Sequence, residues 1–378
     1  MKCHRCSREY ADHFKFCPGC GAPKAPNHVA SAVRTHVAPS RARFFSKKRI
    51  VVSACALVAI ITLVLGLIFG LSSSGAKWSL LPALGLGQAN VNVLCLARDS
   101  VHSILYAGTD GAGVWEYKNE KWSGVGGQVS GAKVESLAYD SGHDVLYAGT
   151  DGSGVWKHWG GRWSNMNFIA GGSAALAYDA KDGVLYADGG AGIWQYRNNN
   201  WTYTRGGQGL LALTCDANGI LYGGSPEGTA PGVWAYKNGA WSSLNGPLNE
   251  DNNNNNPSAI RYYVNALVSD QASGALYVGT DNHGAWRCDN PGAAPSWTNV
   301  GLDSTVTQSL YLDSSKNTLY AGEEGSGVFK YVDGKWSNMA GLGNPDHVLL
   351  AGDSRTGVLY AAATTVSSEA TTRVWQYK

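Results

Sequence analysis

Four cysteines near the start of the chain are the residues best spaced for chemistry. Cys3 pairs with Cys6 and Cys17 with Cys20, each as C-x2-C. Such a turn offers two thiolates to one ion, and Zn²⁺ takes four soft ligands in a tetrahedron. Cys3, Cys6, Cys17 and Cys20 are therefore the candidate zinc site, with two chance pairs or disulfides as the rival reading. Four thiolates leave no open coordination position, so the metal is structural. A segment this short builds no apolar core, and zinc would supply about 10 kcal/mol of its folding energy. His4 and His13 read as surface residues beside a complete ligand set.

A second group is acidic. Asp110, Asp151, Asp188, Asp281 and Glu323 with Glu324 follow recurring Leu-Tyr pairs by a few residues. A ring of carboxylates binds a cation or a basic partner, although an Asp-Gly turn explains Asp110 and Asp151 equally well. A third group follows the polar run from Asn249 to Pro257 and comprises Arg261, Tyr262 and Tyr263. With the enlarged stretch from Ser225 to Gly232 it marks a candidate surface for a protein or glycan partner. Enzyme signatures are missing: there is no H-E-x-x-H, no G-x-S-x-G and no P-loop. The expectation is a protein without catalytic residues. Cys95, Cys215 and Cys288 read as buried free thiols.

The elements that carry these groups come from a repeat. Leu-Tyr recurs at Tyr106, Tyr147, Tyr186, Tyr222, Tyr277, Tyr320 and Tyr360. An Asp precedes each Tyr, at Asp99, Asp140, Asp179, Asp216, Asp270, Asp313 and Asp353, by seven residues except at Asp216, where the offset is six. An aromatic follows each Tyr, and a second Trp follows in six repeats. The seventh lacks it, and Trp78 stands alone before the first repeat. The second repeat reads as four strands, Val134–Tyr139, Val145–Gly149, Gly154–His158 and Arg162–Asn165. Four short strands per repeat of about 40 residues describe a propeller blade. The fold class is thus all-β, a seven-bladed β-propeller over 72–378 with the Trp78 strand closing the last blade. Leu-Tyr and the Trp are expected between blades, and each Asp is expected to cap a turn through backbone hydrogen bonds.

Charge divides the rest of the chain. Residues 1–49 carry 11 Lys/Arg and two Asp/Glu, residues 50–71 carry no charge, and 72–378 carry 19 Lys/Arg and 26 Asp/Glu. The assignment is 1–24 zinc ribbon, 25–49 basic flexible linker and 50–71 transmembrane helix. At 1.5 Å per residue 22 residues span about 33 Å, enough for a hydrocarbon core. The basic cluster lies on the N-terminal side, which puts the N-terminus in the cytoplasm and the propeller outside. A cleaved signal peptide is the rival, weakened by the length of the apolar run and the head before it. The acidic propeller argues against nucleic acid as a partner.

Two resemblances add to this reading. The Cys-Pro-x-Cys-Gly form from Cys17 to Gly21 resembles the short zinc ribbon of bacterial membrane proteins, which implies a structural metal. The runs LYAGTDGSGVW (Leu146 to Trp156) and VDGKW (Val332 to Trp336) resemble BNR/Asp-box and sortilin-like propellers. DANGILY (Asp216 to Tyr222) is similar to the ligand-sensing propellers of two-component regulators. The full Asp-box is absent, with only an Asn/Asp-Gly-x-Trp remnant. The combined expectation is a single-pass membrane protein with an extracytoplasmic binding or sensing propeller, its partners being the lipid bilayer, an external ligand and a cytoplasmic protein at the ribbon. The alternatives are a surface-anchored glycoside hydrolase or lyase and a purely adhesive protein.

Overall fold

The computed structural model describes residues 77–84, 91–168, 170, 175–207, 210, 212–225, 232–244, 263–281, 283–365 and 371–378. The zinc-ribbon cysteines, the linker, the apolar run 50–71, Arg261 and Tyr262 lie outside them. Among the described residues no helix is long and apolar enough to cross a membrane.

These residues form seven four-stranded antiparallel sheets, each a blade whose strands A to D run in chain order. Blades 1 to 6 are β2–β5 (Val93–Gly124), β6–β9 (Val134–Asn165), β10–β13 (Leu176–Tyr203), β14–β17 (Ala212–Ser243), β18–β21 (Val264–Gly301) and β22–β25 (Thr307–Asn338). Blade 7 takes strands A to C from β26 (His347–Asp353), β27 (Val358–Thr365) and β28 (Thr371–Tyr377), and its fourth strand from β1 (Trp78–Leu80). Trp78 pairs with Tyr377 and Leu80 with Trp375, so the displaced Trp closes the ring as its spacing requires.

Burial follows from blades packing face to face. Strand B is the apolar Leu-Tyr run and is buried on both sides: every residue of Ile104–Thr109 and Val145–Thr150 is buried. Strand D alternates, as in Arg162–Asn165, where only Trp163 is buried. Glycines on strand B admit the next blade. A Cβ on Gly224 would lie 2.2 Å from Val264 Cγ1, and one on Gly279 would lie 2.4 Å from Thr307 Cγ2. The strand D indoles reach back to the preceding blade. Nε1 of Trp201 donates to the Met166 carbonyl at 2.9 Å, Trp336 to Val300 at 2.7 Å and Trp78 to Met339 at 3.0 Å.

All seven repeat aspartates cap the A–B turn, and all are buried. Oδ1 of Asp140 accepts from the amides of Gly142 and His143, and Asp353 Oδ1 accepts from Arg355 and Thr356. The equivalent bonds form at Asp99, Asp179, Asp216, Asp270 and Asp313. A short side chain with a free acceptor is what this turn selects, which explains why Asp recurs there.

Candidate functional site

A propeller has two faces. A–B and C–D turns share one, the turn face; B–C and D–A loops share the other, the loop face. The chain both enters and leaves on the turn face, where Lys77 N donates to the Lys378 carbonyl at 3.2 Å.

The acidic candidates lie on the loop face. Asp110, Asp151, Asp281 and Glu324 occupy one position repeated in four blades. Each donates its amide to the carbonyl just before strand A of its own blade, at Asn92, Lys133, Tyr263 and Val306 respectively. Asp110, Asp151 and Glu324 are exposed and Asp281 is half-buried. Gly111 and Gly152 follow at φ +83° and +72°, the Asp-Gly turn the sequence suggests. Asp151 pairs with Lys133 at 3.5 Å, and Lys133 also holds Glu135 at 2.9 Å. Tyr263 is half-buried, and the amide bond from Asp281 sets the two residues side by side. The structure therefore sets Tyr263 beside Asp281 and repeats that acid's position, on the same face, in three other blades.

Glu323 sits elsewhere. It faces Thr307 across strands A and B, just as Thr109 faces Val93, Thr150 faces Val134 and Thr280 faces Val264. In those blades the threonine hydroxyl donates to a glycine carbonyl four residues on, at 2.7, 2.7 and 2.5 Å. Glu323 replaces that hydroxyl with a fully buried carboxyl. Oε1 accepts from Thr307 Oγ1 at 2.8 Å, and Oε2 has no partner. Burial pushes its carboxyl up, and the nearby Thr305 and Thr307 hydroxyls offset this only in part. Asp188 is also buried, held by the Gly190 amide and pushed up by desolvation. Neither is a solvent-facing member of the ring.

The turn face carries a feature that residue types alone did not single out. A cleft of about 780 Å³ lies over the A–B turn of blade 4. The flanking turns of blades 3 and 5 supply Lys181, Asp182 and Ser273, the ends of strand C in blades 3 and 4 supply Arg197 and Lys237, and the C–D turn of blade 4 supplies Asn238. Blade 4 is the one with the six-residue offset at Asp216, so its turn is shorter than its neighbours' and leaves the depression. That offset was the available signal. The cleft's lining is polar, with Lys181, Arg197 and Lys237 set among Asp182, Asp216 and several amides, and suits a hydroxyl-rich ligand.

The chain's likeness to known proteins is one of fold. It superposes on the extracellular domain of a proposed hybrid two-component system of B. thetaiotaomicron with TM-score 0.60 and 15% identity, covering 79% of this chain and 39% of that one. A second structure of that domain, described as part of a one-component system, gives the same score and identity. A component of the mitotic checkpoint complex matches at TM-score 0.56 and 12% identity, over 92% of this chain and 99% of that one. This chain thus spans about two-fifths of that extracellular domain's length. No family model and no curated protein matches the sequence. Identities this low establish a shared propeller architecture, and function must be argued from the site.

No thiol chemistry is built into the described blades. Cys95, Cys215 and Cys288 are free. Burial pushes all three thiols up, Cys288 to about 12, which keeps them protonated and unreactive.

Proposed function

We propose that this is a single-pass membrane protein that displays a ligand-binding, sensing propeller outside the cytoplasm and keeps a zinc ribbon inside as a protein-contact module. The observation that carries the reading is the loop face: four blades place an acid at the same backbone-anchored position, with Tyr263 beside one of them. The opposite face takes the chain entry, so the loop face is the one free of it. The likeness to an extracellular sensor domain supports the same role. In the cytoplasm Cys3, Cys6, Cys17 and Cys20 remain reduced and suited to zinc. The span 50–71 supplies the anchor, and the lipid bilayer is its partner.

Binding without turnover separates this reading from a carbohydrate-active enzyme. The full chain, solubilised in detergent, is to be screened against oligosaccharides and secreted proteins by calorimetry, with products followed by mass spectrometry. The expected result is one bound class, no product, and affinity reduced about tenfold or more in Asp281→Asn. Turnover that disappears in Asp281→Asn would replace sensing with hydrolysis.

A further inference from the structure

The seven capping aspartates differ at their second oxygen. Oδ1 always holds the turn. Oδ2 is met by His102 Nδ1 at Asp99 and by His143 Nδ1 at Asp140, both at 2.8 Å. At Asp216 it accepts from Tyr222 Oη at 3.2 Å, at Asp270 from Ser273 Oγ at 2.5 Å, at Asp313 it meets Lys316 Nζ at 3.3 Å, and at Asp353 it meets Arg98 at 3.0 Å. Asp179 is the exception: its side chain is buried, 1% exposed, and Oδ2 has no partner. The residue three positions on, which is His, His, Ser or Lys in four of the other blades, is here Asp182. An acid stands where a donor is wanted.

The two carboxylates converge on one place. A Cβ built on Gly219, in the A–B turn of blade 4, would lie 3.0 Å from Asp179 Oδ2 and 3.0 Å from Asp182 Oδ2. Gly219 has φ +77°, and with no side chain it lets both oxygens lie close against its backbone, where a Cβ would be crowded. Lys181 favours the Asp179 anion through its charge but does not pair with either acid directly. Its Nζ donates to the Asn218 carbonyl at 2.7 Å, and among the described residues it forms no ion pair with either acid. Burial and the Asp182 charge push the Asp179 carboxyl up, against the backbone bonds that stabilise its anion.

We infer that Asp179 and Asp182 bind a calcium ion at the seam between blades 3 and 4. The donors are oxygens only and carry two negative charges, which selects a hard cation over zinc or copper. Ca²⁺ accepts six to eight oxygens in irregular arrangements, whereas Mg²⁺ demands a near-ideal octahedron. Asp182, Asn218 and Gly219 line the cleft over blade 4, so water or ligand oxygens within the cleft complete the shell. The site is independent of the loop face and of the chain's topology.

The full-length chain in calcium-free buffer tests this with Tb³⁺ luminescence, competition by Ca²⁺, and thermal melting. Competition is expected with a midpoint on the order of 10⁻⁴–10⁻³ M, the range of extracellular calcium modules. Asp182→Asn is expected to weaken Ca²⁺ about tenfold or more. Asp182→Ser supplies the hydroxyl that Ser273 gives Asp270, so it is expected to melt higher than the wild type without calcium and to show no calcium response. Asp144→Asn, in the separate group of Asp99, His102 and Asp144, is expected to leave the midpoint unchanged. A wild type that ignores Ca²⁺ up to about 10 mM, or a midpoint unaltered in Asp182→Asn, overturns the assignment.

Discussion

Replacing Arg98 by Met should open the seam that joins the first blade to the last. The guanidinium of Arg98, on strand A of blade 1, lies 3.0 Å from Asp353 Oδ2 at the end of strand A of blade 7. Their side chains are 8% and 0% exposed. Arg98 also lies over the Tyr360 ring at 5.4 Å, and Arg355 reaches back from blade 7 to the Ser100 carbonyl. Met keeps most of the volume and removes the charge, leaving the buried carboxylate with only the exposed Arg355 guanidinium at 4.0 Å. Breaking a buried pair on one side costs about 3–5 kcal/mol. For a domain of this size that lowers Tm by roughly 5–8 °C.

The pH dependence distinguishes charge from packing. Burial pushes the Asp353 carboxyl up, but bonds from Arg98 and Thr356 and the Arg98 charge outweigh it and hold it below the ordinary value. Stability from this group is present above the unfolded value of about 3.9 and is lost as pH falls through the lower folded value. In Arg98→Met the burial is opposed only by the Thr356 and Arg355 bonds, so acid relieves the variant by protonating Asp353. Melting and urea denaturation between pH 3 and 7 should show the gap narrowing in acid. Adding Asp353→Asn, which retains a capping oxygen, should restore most of the loss at pH 7. A single-variant cost below about 1 kcal/mol, or a gap that is the same at pH 3 and pH 7, would refute the reasoning.

Glu323→Gln should stabilise the protein at pH 7 by about 1 kcal/mol, because the raised carboxyl favours the neutral state. The wild type loses that stability as pH rises through the folded value, so denaturation curves of the two should coincide below the unfolded value of about 4.3. Trp78→Ala removes the indole bond to Met339 and the contact with Tyr377 at 5.3 Å. As Trp78 is only partly buried, about 2–3 kcal/mol is expected, less than for a fully buried Trp, with limited proteolysis attacking β28 first. Elemental analysis of the full chain should find one zinc per protein, lost in Cys17→Ser, Cys20→Ser; equal zinc in both would dismiss the four-thiolate site.

The blade pattern was legible because each repeat must solve the same packing problem. The four strands read in the second repeat appear as Val134–Asp140, Val145–Thr150, Gly154–Trp159 and Arg162–Asn165. Trp78 was legible as the missing strand because an open seventh blade would leave an unpaired edge. The capping role of the aspartates followed from turn chemistry. What the sequence hid depends on register and on contacts between blades. Glu323 and Glu324 are adjacent acids, and only the pairing of Thr307 with Glu323 shows that Glu324 continues the exposed series. Arg98 stands where blades 2 and 3 carry Tyr139 and Tyr178, and nothing local marks it as the partner of a residue 255 positions away. The cleft depends on one residue missing from the Asp216 turn, a deviation whose consequence appears only when neighbouring turns flank it. Asp182 likewise becomes informative only beside the Oδ2 contacts of the other blades.

Membrane display of the propeller is the central claim, and labelling of thiols on intact cells tests it most directly. Trp159 is 63% exposed at the end of strand β8, which makes Trp159→Cys a surface reporter. The native blade thiols are held protonated by burial and give little background. A membrane-impermeant maleimide should label Trp159→Cys on intact cells, while Cys3, Cys6, Cys17 and Cys20 react only after permeabilisation and zinc removal. Labelling of Trp159→Cys that appears only once the membrane is breached would contradict the account.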